Sequence, residues 1–154
     1  MKSGDPYAIG IRFDGLKFFR FGFIEKADYH DEDLSVQLSV DIKDDELVRD
    51  GTANVFVKVT VLFVIDNTKE IVANIEVVSL FVLEGIRDDA IEDGRAIYPE
   101  RLLTTLVSLA ISTTRGAILA KGAGSFLERM PLPIVNPKEF VERRKSKEAS
   151  NNDE

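Results

Sequence analysis

Residues 53–83 run ANVFVKVTVLFVIDNTKEIVANIEVVSLFVL, and the period of that stretch decides the fold. Val55, Val57, Val59, Val61, Phe63 and Ile65 hold one face of a β-branched run, while Asn54, Phe56, Lys58, Thr60, Leu62 and Val64 give the other a mixed character. Asp66-Asn67-Thr68-Lys69 is a compact polar break, after which Ile71, Ala73, Ile75 and Val77 recur at every second position. Two period-two runs across four polar residues predict an antiparallel hairpin, because alternate side chains of a strand point to opposite faces. The second arm continues to Leu83 and stops near Glu84-Gly85.

Upstream, Leu34, Val36, Leu38, Val40 and Ile42 alternate with Ser35, Gln37, Ser39, Asp41 and Lys43. That is a strand with one wet face, followed by turn signals at Asp44-Asp45-Glu46 and Arg49-Asp50-Gly51. Earlier still, Leu16 to Ile24 carries Phe18, Phe19, Phe21 and Phe23. Strict alternation puts 19, 21 and 23 on one side and 18 on the other. An apolar strand of that kind needs cover twice, once from the core and once from a second layer, a subunit or a ligand.

Downstream the period changes. Asp88-Asp89-Ala90-Ile91-Glu92-Asp93-Gly94 is an acidic connector with room for one helical turn, and Pro99 stands where a helix can begin. Leu102, Leu103, Leu106, Leu109, Ala110 and Ile111 follow helical spacing, continued by Ala117, Ile118 and Leu119 and ended by Gly122 and Gly124. The helix has about 22 residues and spans about 33 Å. No charge lies between Arg101 and Arg115, and the less apolar side is Thr104, Thr105, Ser108, Ser112 and Thr113. A solvated helix face carries charges, so this helix is expected to be covered on both sides. Leu132-Pro133-Ile134-Val135-Asn136-Pro137 forces an extended segment, with Asn136 capping a short helix to about Arg144. Residues 1–144 are expected to form a single domain and 145–154 a disordered tail, which has little to bury. The fold class is α+β, a four-stranded antiparallel sheet followed by a long and a short C-terminal helix.

The 154 residues include 20 basic and 27 acidic side chains, a formal charge of −7 that argues against nucleic acid as the main partner. The absence of cysteine excludes disulfides, thiol catalysis and thiolate metal sites, and a lone His30 excludes paired imidazoles. His30 lies among Asp28, Asp31, Glu32 and Asp33 with no nucleophile pattern, so it is an exposed loop residue rather than a general base. The clusters around Asp44 and Asp88 lack the alternate spacing of a calcium loop. Gly122-Ala123-Gly124 follows a helix and lacks the lysine of a phosphate loop. No constellation marks an enzyme, a metal site or a cofactor. The opening Met1-Lys2-Ser3-Gly4-Asp5-Pro6 is polar, and the apolar runs Val61 to Ile65 and Val77 to Leu83 are too short to span a bilayer. A cytoplasmic location without membrane insertion is expected.

The string Ala53 to Val61, the hairpin, and Leu80-Phe81-Val82-Leu83-Glu84-Gly85-Ile86 together resemble the SecB family of export chaperones. So do Ile97-Tyr98-Pro99-Glu100-Arg101 opening the long helix and Leu132 to Pro137 before the short one, the similarity running from about Ile11 to Val141. The resemblance implies an ATP-independent holdase for unfolded polypeptides in protein transport and translocation, assembled as a homotetramer, a dimer of dimers with long helices at the interface. It implies a peptide-binding groove taking Phe18, Phe19, Phe21, Phe23, Leu80, Phe81 and Leu83, and an interface at Thr104, Thr105, Ser108 and Ser112. It also implies acidic contacts to the SecA ATPase. Glu76 stands where one is expected, while the first strand offers Gly15 and Phe19 near the others, with Asp14 close by. The stretch 115–129 is longer than the usual turn after the long helix. The alternatives are a chaperone dedicated to one client, as in toxin–antitoxin systems and without SecA, a small-molecule enzyme or carrier, and an adaptor for one folded partner.

Overall fold

The computed structural model describes residues 9–25, 29, 34–129 and 132–152. Strands β1 (Gly10–Phe23), β2 (Leu34–Lys43), β3 (Ala53–Ile65) and β4 (Ile71–Glu84) form one antiparallel sheet in the order β1-β4-β3-β2. The predicted hairpin is its centre. Val59 stands opposite Val77 and Val61 opposite Ile75, so the odd-numbered residues of both strands share the face that is sealed as core. β2 joins the far side in unbroken register, Val40 opposite Val59 and Ile42 opposite Val57.

Helix α1 (Glu100–Lys121) packs on β3 and β4, burying Leu103, Leu106, Val107, Ala110, Ile111, Thr114 and Ile118. By length and composition α1 is apolar enough to cross a membrane. The core helix of a soluble protein meets the same measure. Pro99 is its N-cap, and the Pro99 carbonyl accepts from the amides of Leu102 and Leu103 at 3.0 and 3.2 Å. At the other end the chain folds back at Gly122, where a Cβ would lie 2.8 Å from both the Ile118 carbonyl oxygen and the Leu127 Cβ. Glycine is required there by the close approach of backbone to backbone.

The acidic connector holds the expected helical turn and adds a hairpin to it, and the expectation of a disordered tail is corrected. The acidic connector is a single 3-10 turn, Asp88–Ala90, followed by a miniature hairpin of β5 (Ile91–Glu92) and β6 (Arg95–Ala96). Asp93 and Gly94 turn it with φ of 54° and 79°, the paired positive angles that an Asp-Gly turn supplies. The region assigned to a disordered tail is helical as far as Asn152, in helix α2 (Pro137–Asn152). Its exposed last turns are held by local contacts: Arg144 pairs with Glu148 at 3.3 Å, and the Ser150 hydroxyl donates to the Ser146 carbonyl at 3.0 Å. Asn136 caps this helix as expected, its side-chain oxygen accepting from the Lys138 amide at 3.1 Å. His30 and the acidic residues around it lie outside the described residues.

Candidate functional site

β1 is an edge strand with two register shifts, between Phe13 and Gly15 and between Phe18 and Arg20. Each inserts one extra residue and so reverses the alternation beyond it. Gly15, with φ 129°, accommodates the first. The pairings Ile11–Leu83, Phe13–Phe81, Leu16–Ser79, Phe18–Val77, Phe21–Ile75 and Phe23–Ala73 therefore put all six β1 side chains on the face that carries α1. This corrects the expectation that Phe19 shares a side with Phe21 and Phe23. Phe18 is the ring that joins them, and Phe19 stands on the opposite face, 62% exposed, beside Phe56, Lys58 and Val78.

α1 covers the two central strands and leaves β1 outside its footprint. Phe13, Leu16 and Phe23 remain 37–47% exposed on the helix side. Rings continue the strip: Phe18 meets Phe21 edge-on at 5.5 Å, Phe21 meets Phe23 at 5.7 Å and Phe23 meets Phe126 at 6.0 Å. The Lys121 ammonium, in the last turn of α1, caps Phe18 at 4.9 Å and Phe21 at 5.4 Å, a cation over two ring faces. The result is an apolar strip along an edge strand of 14 residues, about 47 Å long, beside α1.

Phe126 anchors one end. It lies in a 3-10 turn, Phe126–Arg129, that closes the long stretch after α1, and it is buried against Phe63 at 5.9 Å and Tyr29 at 5.1 Å. Of the stretch 115–129, longer than the turn the resemblance implies, residues 115–121 are the end of α1 and 126–129 are this 3-10 turn. The available signal was an apolar pair, Phe126-Leu127, isolated in a Gly/Ser/Glu segment, and both residues are core.

The seven groove residues thus separate into three places. Phe18, Phe21 and Phe23 belong to the apolar strip, Phe18 and Phe21 half-buried under Lys121 and Phe23 exposed. Phe19 and half-buried Leu80 lie on the uncovered sheet face, where Leu80 pairs with Phe56. Phe81 and Leu83 are fully buried beneath the hairpin and α1, so they form the floor of the core rather than a surface. Phe13 and Leu16 were missed because a bulge cannot be seen in alternation alone.

The uncovered sheet face also holds both residues expected to meet SecA. Glu76 sits between Arg20 at 3.6 Å and Lys58 at 3.9 Å, and Asp14 is 3.8 Å from Arg12. Glu76 thus has two cations beside it, whereas Asp14 shares Arg12 with Glu84, which lies closer at 3.0 Å. On α1, Thr105, Ser108 and Ser112 are exposed, whereas Thr104 is half-buried, its hydroxyl donating to the Glu100 carbonyl at 2.8 Å. Gly116 continues the exposed side, with open space where a Cβ would be.

Where α2 meets the sheet, the Arg144 guanidinium grips Asp44 with two hydrogen bonds, one of 2.9 Å. That grip, opposed by burial, raises the guanidinium's already high pKa. Nearby, burial pushes the Tyr98 phenol up to about 12, with Asp44 and Glu46 adding to it. Glu100, at the start of α1, is lowered by the hydrogen bond and charge of Lys145 at 2.8 Å. Among the described residues no group of three or more carboxylates and imidazoles is placed to hold a metal ion.

No protein-family model matches the chain, and no curated protein matches it in sequence. Among solved structures it is similar to a SecB-like chaperone of Mycobacterium tuberculosis in complex with a peptide from an antitoxin. The identity is 12% and the TM-score 0.49, over 81% of this chain and 88% of that one.

Proposed function

We propose that the protein is an ATP-independent holdase that shelters unfolded polypeptide on the apolar strip of β1. The observation that carries this reading is the line of six apolar side chains, Ile11, Phe13, Leu16, Phe18, Phe21 and Phe23, on one face of a strand that α1 leaves open. Burying one such side chain contributes roughly 1.5–3 kcal/mol, so a few of them retain a flexible segment without reading its sequence. The chemistry needed is burial alone, and the reading assigns no cofactor, no catalytic group and a cytoplasmic setting.

Self-association belongs to the same reading. Between Arg101 and Arg115 the exposed Thr105, Ser108 and Ser112 side of α1 carries no charge, and a second copy of α1 covers it in the proposed dimer of dimers. The pairing of Glu76 and Asp14 with neighbouring cations favours the second reading, a chaperone dedicated to one client without SecA, over general export.

The test is suppression of aggregation of a chemically denatured protein. Phe13→Ser with Phe23→Ser is expected to weaken suppression severalfold, while Phe19→Ser, on the other face, leaves it intact. Equal activity in all three proteins would remove the strip from the mechanism.

A further inference from the structure

The second bulge of β1 places two consecutive side chains, Phe19 and Arg20, on the uncovered face of the sheet. Arg20 is engaged there by Glu76 at 3.6 Å. Phe19 is not absorbed by packing, and its ring stays largely in water. A bulge that re-aims a side chain in this way is a recurring feature beside binding sites.

Phe19 closes one end of a cavity of about 450 Å³ that crosses the strands instead of following them. The rest of its lining is Val78 of β4, Phe56 and Lys58 of β3, and residues 41–43 of β2. The register explains the line: Val78 stands opposite Lys58 and Lys58 opposite Asp41, with Phe56 opposite Lys43 in the next row. From β1 to β2 the slot covers three strand spacings, about 14 Å. Its volume falls in the range of small-molecule sites.

The charge around it is lopsided. Among the described residues Lys43 has no carboxylate within ion-pair distance. Lys58 hangs between Asp41 at 3.8 Å and Glu76 at 3.9 Å, too far for a hydrogen bond to either, so its donors are unspent. The Lys17 ammonium stands 6.0 Å above the Phe19 ring. Lys17, Arg20, Lys43 and Lys58 thus outnumber Asp41 and Glu76, in a chain whose formal charge is −7. A purely apolar occupant would leave these cations unused, and a cationic one would be repelled by them; a flat anion meets both the rings and the charge.

We propose that this cross-strand slot binds a small aromatic monoanion, a two-ring arylcarboxylate. Its ring system lies over Val78 between Phe19 and Phe56, and its carboxylate reaches Lys43 and Lys58. The site is on the opposite face from the apolar strip and does not depend on the holdase reading.

The test is a titration of the intact protein with 2-naphthoate, followed by amide chemical shifts, beside 2-naphthylmethylammonium as a compound of like shape and opposite charge. Saturable shifts are expected at residues 41–43, 56–58 and 78, with affinity about fivefold lower for the ammonium compound. Phe19→Ser, at an exposed position, is expected to weaken naphthoate binding about tenfold, and Lys43→Glu to reverse the charge preference, both with an unchanged circular dichroism spectrum. Phe13→Ser with Phe23→Ser, which strips the other face, is expected to bind naphthoate as the parent does. Absence of saturable shifts, equal affinity for both charges, full binding by Phe19→Ser, or binding lost with Phe13 and Phe23 would each overturn the proposal.

Discussion

The Tyr98 hydroxyl is buried and has no hydrogen-bond partner among the described residues, so it is a desolvated polar group with nothing from them in return. Tyr98→Phe is expected to hold stability level or raise it by up to about 1 kcal/mol in urea unfolding. The same side chain sets an alkaline limit. Its pKa is raised on folding from 10.0 to about 12, so the folded state holds the proton more tightly than the unfolded one. The contribution is complete below pH 10 and is lost as pH rises towards 12. Tyrosinate absorbance should show a late-titrating component that is absent from Tyr98→Phe. Gly122 is the opposite case, a residue tolerating nothing larger. Gly122→Ala drives a methyl to 2.8 Å from the Ile118 carbonyl oxygen and the Leu127 Cβ. A loss of roughly 1–3 kcal/mol is expected in the urea midpoint.

Among the elements, α2 is the least anchored. Val141, the Arg144–Asp44 pair and the Lys145–Glu100 contact hold its first half, and beyond them residues 146–148, 150 and 151 are exposed. Arg144→Ala leaves Asp44 partly buried without its partner, at a cost of about 1–2 kcal/mol. Faster amide exchange throughout Pro137–Asn152 than in the parent protein would register it, and unchanged protection would mean that packing alone fixes the helix. The elements also show what a sequence conveys. β2, β3, β4 and α1 were legible because a two-residue or 3.6-residue period sustained over ten or more positions has one structural solution. β1 was legible as a strand and illegible as a surface, since its bulges depend on pairing with β4 and leave no mark on composition. The helical end of α2 was missed because local side-chain contacts, rather than burial, support it. Phe126 was missed because its partners Phe23, Tyr29 and Phe63 are remote in sequence.

For the whole molecule, an assembly through α1 makes a direct prediction. Ser108→Arg with Ser112→Arg puts two bulky charges on an exposed helix face, which a lone protomer tolerates. Light scattering is expected to show a smaller particle with an unchanged circular dichroism spectrum. An unaltered mass would place the contact elsewhere. The doubled residue at Phe19 in β1 carries a different consequence. Removing Phe19 takes out the extra residue, so Phe18 opposite Val77 and Arg20 opposite Glu76 become neighbours in an unbroken ladder. Ile11, Phe13, Leu16 and Phe18 keep their face, and what is lost is the kink that keeps the rim of the sheet from accepting another strand.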